Sequence, residues 1–163
     1  MAGENPFVLL AGILKERGMT LATAESCTGG LLSSLITDVA GSSDYFSGGV
    51  IAYSNEVKKN LLNVSDETLE RYGAVSRQTA GEMAEGVRKR LKSSAAVAIT
   101  GIAGPAGGTA RKPVGTVYIA VITGRGKSQK IIVKKFLFKG KRLEVKKKSA
   151  REAVLMLLEA LGA

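Results

Sequence analysis

Apolar positions along this chain recur with two different periods, and the switches between them mark an alternation of helices and strands. Leu9, Leu10, Ile13 and Leu14 fall at helical spacing behind Asn5-Pro6, an N-cap followed by a first-turn proline, and Gly18 closes the helix. Thr20 to Ala24 is a short apolar run, partly β-branched, as a buried strand requires. Leu31, Leu32, Leu35 and Ile36 return to helical spacing up to about Asp38, after a turn eased by Gly29-Gly30, and Ala40 to Asp44 reads as a loop. Gly48 to Tyr53 is the next strand, and Ser54 caps a helix running through Val57, Leu61 and Leu62. Asp66 to Tyr72 is a short helix ending at Gly73. Ser76 caps a longer one that turns Ala80, Met83, Ala84, Val87 and Leu91 inward. Ala95 to Thr100 is a buried strand running into the glycine-rich stretch from Gly101 to Thr109. Val114 to Val121 and Ser128 to Phe138 are strands joined by a hairpin turn at Gly124-Arg125-Gly126-Lys127, and a last helix spans Arg142 to Leu161. This order predicts an α/β sandwich whose mixed, mostly parallel sheet gains one antiparallel strand from the hairpin. With no repeat, low-complexity tract or linker, residues 1–163 are expected to form one domain.

Composition narrows the chemistry. The sequence contains no histidine and one cysteine, Cys27, so neither a Ser-His-Asp triad nor a Cys/His zinc site can be assembled within one chain. A lone cysteine also precludes an intrachain disulfide and suits a reducing cytoplasm. No stretch is long and apolar enough for a membrane span and no export signal opens the chain, so a cytoplasmic protein without membrane contact is expected.

The net charge of +10 is unevenly placed, since residues 1–124 carry 12 Lys and Arg against 11 Asp and Glu, whereas residues 125–163 carry 12 against 3. Runs such as Lys146-Lys147-Lys148 suit nucleic acid or an acidic ligand, but a solvated face is their commoner use. Only Phe136 and Phe138 interleave them, which is thin support for a base-stacking platform, so nucleic acid ranks last among the expected partners.

Three strand-end loops hold the candidate chemistry. A serine, Ser26, stands in the turn Glu25-Ser26-Cys27-Thr28-Gly29-Gly30, where a helix N-terminus leaves amides free for an anion. Tyr53 ends the second strand with Lys58 in the first or second turn of the helix after it, and Thr100 ends the third strand just before Gly101. Without histidine, the base for a serine nucleophile must be a lysine, a carboxylate, a tyrosinate or water; a desolvated Lys58 fits, since burial lowers an amine's pKa. Tyr53 would bond or relay to that amine, Thr100 would orient it, and the N–H groups of Cys27, Thr28, Gly29 and Gly30 would receive an oxyanion. Cys27 reads as a small buried residue, and Glu25 either pairs a cation or caps the turn. Plain alternatives stand beside these: a surface position for Lys58, next to Lys59, and a core position for Tyr53.

Six segments together resemble the CinA C-terminal domain family: Thr23-Ala24-Glu25-Ser26-Cys27-Thr28-Gly29-Gly30, Ala40-Gly41-Ser42-Ser43, Tyr53-Ser54-Asn55-Glu56-Val57-Lys58, Gly73-Ala74-Val75-Ser76, Thr100-Gly101-Ile102-Ala103-Gly104-Pro105 with Gly107-Gly108, and Lys112-Pro113-Val114-Gly115-Thr116-Val117. The resemblance covers roughly the first three quarters of the chain in the family's order. It implies a three-layer α/β/α sandwich, a homo-oligomer, and hydrolysis of the carboxamide of nicotinamide mononucleotide to nicotinate mononucleotide and ammonia, without metal or other cofactor. It maps the nucleophile to Ser26 and further site residues to Lys58, Tyr53 and Thr100. Where the family shows Gly-Asp-Arg before its last helix, this chain has Gly140-Lys141-Arg142, which keeps Arg142 as a candidate phosphate ligand and removes the acid. Family members often carry an additional N-terminal domain, so a stand-alone amidase domain is expected here. The competing reading is a non-catalytic nucleotide-binding module that uses the glycine loops as a phosphate cradle.

Overall fold

The computed structural model describes residues 5–124 and 126–163. Helices α1 (Pro6–Glu16), α2 (Leu31–Thr37), α3 (Asn55–Leu62), α4 (Asp66–Tyr72), α5 (Arg77–Leu91) and α6 (Arg142–Leu161) surround strands β1 (Leu21–Glu25), β2 (Phe46–Ile51), β3 (Ala95–Gly101), β4 (Thr116–Thr123) and β5 (Lys130–Leu137). The sheet order is β2-β1-β3-β4-β5. β1 pairs in parallel with β2 and β3, while β4 runs antiparallel to both β3 and β5. Four strands therefore point one way and β4 alone is reversed, as the hairpin pattern predicts. Arg125, in that hairpin's turn, lies outside the described residues.

Because β1 and β3 are buried on both faces, their sequences read as largely apolar runs without alternation, but side-chain size sorts by face. Leu21, Val97, Ile99, Val117, Ile119 and Val121 join Leu10, Leu14, Leu32, Ile36, Val154 and Leu157 in one core beneath α1, α2 and α6. Ala22, Ala24, Ala96, Ala98 and Ala120 floor the other, against Leu62 of α3 and Ala80, Met83 and Val87 of α5. An alanine floor lets α5 lie close to the sheet, and α5 in turn meets α3 without a side chain between them. A Cβ at Gly86 would sit 1.9 Å from the Leu62 carbonyl oxygen. Gly86→Ala should therefore cost about 3 kcal/mol, the scale of forced overpacking, with a lowered urea midpoint. An unchanged midpoint would show that the α3–α5 contact does not seat α3.

Several boundaries differ from the sequence expectation. β2 begins at Phe46, because Gly48 and Gly49 pair with Ala22 and Thr23 and carry no hydrophobic period of their own. It ends at Ile51, so Tyr53 lies beyond the strand, and Ser42–Asp44 form a short 3₁₀ turn rather than open loop. β4 likewise starts at Thr116, after Val114-Gly115.

The topology decides where chemistry collects. β1, β2, β3 and β5 all end at one edge of the sheet, so the segments after them converge there. β1 lies between β2 and β3, which puts Ser26 between the turn leading to Lys58 and the loop after Thr100.

Candidate active site

At that edge a cavity of about 270 Å³ is lined by Ser26, Cys27, Tyr53, Lys58, Thr100, Gly101 and Arg142, together with Ala74, Val75 and the loop residues Ile102, Ala103, Gly104, Ala106 and Gly107. Helix α3 delivers the lysine. Ser54 accepts the Val57 N–H at 3.2 Å and fixes the first turn, which sends Lys58 and Leu62, four residues apart, inward on one stripe. Lys58 is only 1% exposed, whereas Lys59 points out and pairs with Asp66.

The Lys58 amine has three near neighbours: Nζ lies 3.1 Å from Ser26 Oγ, 2.9 Å from the Ala52 carbonyl and 3.2 Å from the Tyr53 carbonyl. No carboxylate forms an ion pair with it among the described residues. Burial accordingly holds its pKa below the ordinary lysine value, opposed weakly by the Cys27 thiol. Two carbonyls and one hydroxyl give the amine three acceptors, one for each N–H of an ammonium; once a proton is lost, two N–H groups can stay on the carbonyls while the lone pair takes the serine O–H.

Glu25 resolves the alternative left open by the sequence. The end of β1 turns it toward α2, where one carboxylate oxygen accepts from the N–H groups of Gly30 and Leu32 at 3.1 and 3.0 Å. The other accepts from the Ser33 N–H and hydroxyl, both at 2.8 Å. It is a buried helix cap at the positive end of α2 rather than a lining residue of the cavity. Glu25→Gln, which turns an amide NH₂ against N–H donors, should lower unfolding free energy by about 2 kcal/mol, measurable by denaturant titration. A neutral result would contradict the capping role.

Of the four amides considered for an oxyanion, that of Gly29 donates to Ser26 O and that of Gly30 to Glu25, both at 3.1 Å. Gly29 and Gly30, with φ of 60° and 100°, shape the turn and do not line the cavity. Among the described residues the amides of Cys27 and Thr28 have no acceptor in another residue, and Cys27 lines the cavity while Thr28 does not. The Cys27 thiol is buried, and burial, helped by Glu25, pushes its pKa up to about 11, so it stays protonated at neutral pH.

Tyr53 and Thr100 reach the cavity but not the amine by their hydroxyls. The exposed Tyr53 hydroxyl accepts from Arg142 Nη2 at 2.9 Å, and Arg142 Nη1 donates to the Gly104 carbonyl at 2.7 Å. The Tyr53 backbone, not its side chain, meets Lys58. Thr100 Oγ1 donates to the Ala74 carbonyl at 2.7 Å and so braces the segment before α5, where Ser76 and Thr79 both bond the Gly73 carbonyl. The start of α6, without an acidic cap, is held by Glu144, whose carboxylate accepts the Lys141 N–H at 2.7 Å. The carbonyls of Ala52 and Tyr53 went unforeseen, because a carbonyl's direction carries no signal in residue type.

The arrangement defines a class before a family: an α/β/α domain with a serine hydroxyl against a buried amine where parallel strands end. The CinA C-terminal domain model matches residues 7–161, and the chain belongs to that family. It is 51% identical over 154 residues to a CinA-like protein of Thermotoga neapolitana, covering 94% of this chain and 36% of that protein. A CinA-like protein of Synechocystis is 54% identical over 125 residues, covering 77% and 30%. The chain thus spans about a third of the length of these curated relatives. Among solved structures, the competence/damage inducible protein CihA from Agrobacterium tumefaciens superposes with a TM-score of 0.89 at 38% identity, covering 100% of this chain and 99% of the other. A CinA superfamily protein from Enterobacter cloacae gives 0.90 at 36%, covering 96% and 90%.

Proposed function

We propose that this cavity hydrolyses the carboxamide of nicotinamide mononucleotide, with Ser26 as nucleophile and Lys58 as base. The observation that carries the reading is the buried Lys58 amine, without an ion pair among the described residues, 3.1 Å from Ser26 Oγ. The substrate comes from the family resemblance; the chemistry comes from the residues.

In this mechanism Ser26 Oγ attacks the carboxamide carbon as its proton passes to Lys58 Nζ. The Cys27 N–H stabilises the developing oxyanion. The Lys58 ammonium returns the proton to the departing nitrogen, releasing ammonia and leaving a nicotinoyl ester on Ser26. Water, deprotonated by the same amine, then cleaves the ester, giving nicotinate mononucleotide and restoring the serine. A lysine serving only to bind phosphate would carry a full charge to the ligand. Lys58 is instead buried with no carboxylate partner among the described residues and touches Ser26 Oγ, which favours catalysis over a passive nucleotide cradle.

Arg142 supports recognition of the substrate phosphate, and Tyr53 positions its guanidinium. Ala103, Gly104, Ala106 and Gly107 line the cavity, and their amides, without acceptors among the described residues, suit the same anion. Incubation with nicotinamide mononucleotide should release one ammonia per nicotinate mononucleotide formed. Calorimetric binding without ammonia release would replace the amidase with the binding module.

A further inference from the structure

A second cleft, of about 540 Å³, is lined by Arg71, Arg77, Arg111, Lys112 and Lys135, with Tyr72, Tyr118, Ser76 and Gln78. It shares no lining residue with the cavity that contains Ser26. No carboxylate lines it, which sets it apart from a surface where charges of both signs alternate.

Its construction follows from the fold. Tyr118 and Lys135 face each other across the β4–β5 ladder, with the Lys135 amine 6.0 Å from the Tyr118 ring centroid. Arg77 opens α5 and donates to the Val133 carbonyl at 2.7 Å, which ties that helix to β5. Lys112 closes the glycine-rich loop and donates to the Tyr72 carbonyl at 2.8 Å. Arg71 has only Glu67, 4.0 Å away on its own helix, and Arg111 has no ion pair or hydrogen bond among the described residues. Carbonyl oxygens position two of the cations without neutralising them, and Glu67 is the carboxylate that pairs with Arg71, so five basic side chains line one concavity with little compensating negative charge among the described residues.

We propose that this cleft is a binding site for a small polyphosphate, a diphosphate or longer group free or on a nucleoside. Convergent arginines give bidentate contacts to phosphate oxygens, and several cations in one hollow select a multiply charged ligand over a single carboxylate. The concave shape and limited volume favour a small ligand over a nucleic-acid strand. Arg71 lies over the Tyr72 ring at 5.3 Å and Lys135 approaches the Tyr118 ring at 6.0 Å, so each ring already has a cation at one face, where a stacked base would have to displace it. The segment between Tyr72 and Ser76 separates the two sites, since Ala74 and Val75 line the Ser26 cavity.

Titration calorimetry with inorganic pyrophosphate tests the proposal on the intact chain. Saturable binding is expected, retained by Arg142→Ala and weakened roughly a hundredfold by the pair Arg71→Ser and Arg111→Ser, which removes two charge-assisted contacts. Lys135→Glu, at an exposed position, should weaken it independently, with circular dichroism confirming an intact fold. The proposal fails if pyrophosphate does not saturate the protein, or if Arg142→Ala abolishes binding while the double variant keeps it. It also fails if a single-stranded oligonucleotide binds tightly and pyrophosphate cannot compete for the site.

Discussion

Ser26→Ala is expected to lower ammonia release from nicotinamide mononucleotide by roughly four orders of magnitude or more, as loss of a nucleophile does where the remaining groups supply only binding and oxyanion contacts. The substitution removes one oxygen from a residue only 8% exposed and breaks one hydrogen bond to Lys58. Substrate affinity should change little, because Arg142 and the loop amides are untouched. Binding measured by calorimetry beside activity therefore separates a chemical defect from a structural one. Cys27 offers no bypass, since its thiol stays protonated through neutral pH and remains buried. Activity in Ser26→Ala within tenfold of the parent would assign the nucleophile elsewhere.

Lys58→Met should cost roughly 10²- to 10⁴-fold in rate, the span of a lost general base. It carries a second signature, in stability. The folded-state pKa of Lys58 lies below its unfolded value, because burial disfavours the ammonium. Between those two values the unfolded chain binds more protons, so stability contributed by this group rises with pH and is lowest below the folded pKa. Methionine abolishes that dependence. Lys58→Met should flatten the rise of unfolding free energy on the alkaline side of neutrality, even though the Ala52 and Tyr53 carbonyls lose their donor. The parent's kcat/KM should rise with pH through the same depressed pKa, and an unaltered slope in the variant would show that Lys58 does not titrate abnormally.

Much of the architecture was legible because the apolar runs of β1 and β3 and the helical stripes of α5 and α6 are long and clean. What stayed open or escaped was nonlocal or hidden by residue type, although a desolvated Lys58 already stood among the candidate bases. Lys58 looks like half of a surface Lys-Lys pair, yet it precedes Leu62 by four residues on the buried stripe, a polar residue in an apolar position. That phase was the available clue to its burial. Glu25 could be placed in the turn, but its capture by α2 depends on how that helix docks at the end of β1. Tyr53 and Arg142 are 89 residues apart and meet only because β2 and β5 end at the same edge. Phe136 and Phe138, weighed as a stacking platform, stack on each other with centroids 5.2 Å apart and pack against the core.

The central claim is that the amine beside Ser26 is held ready to be neutral. Nitrogen-15 NMR of lysine-labelled protein, with Lys58 assigned by its loss in Lys58→Met, measures this directly. The account predicts that Lys58 titrates clearly below the ordinary lysine pKa of about 10.4. A titration midpoint at or above that value would contradict it.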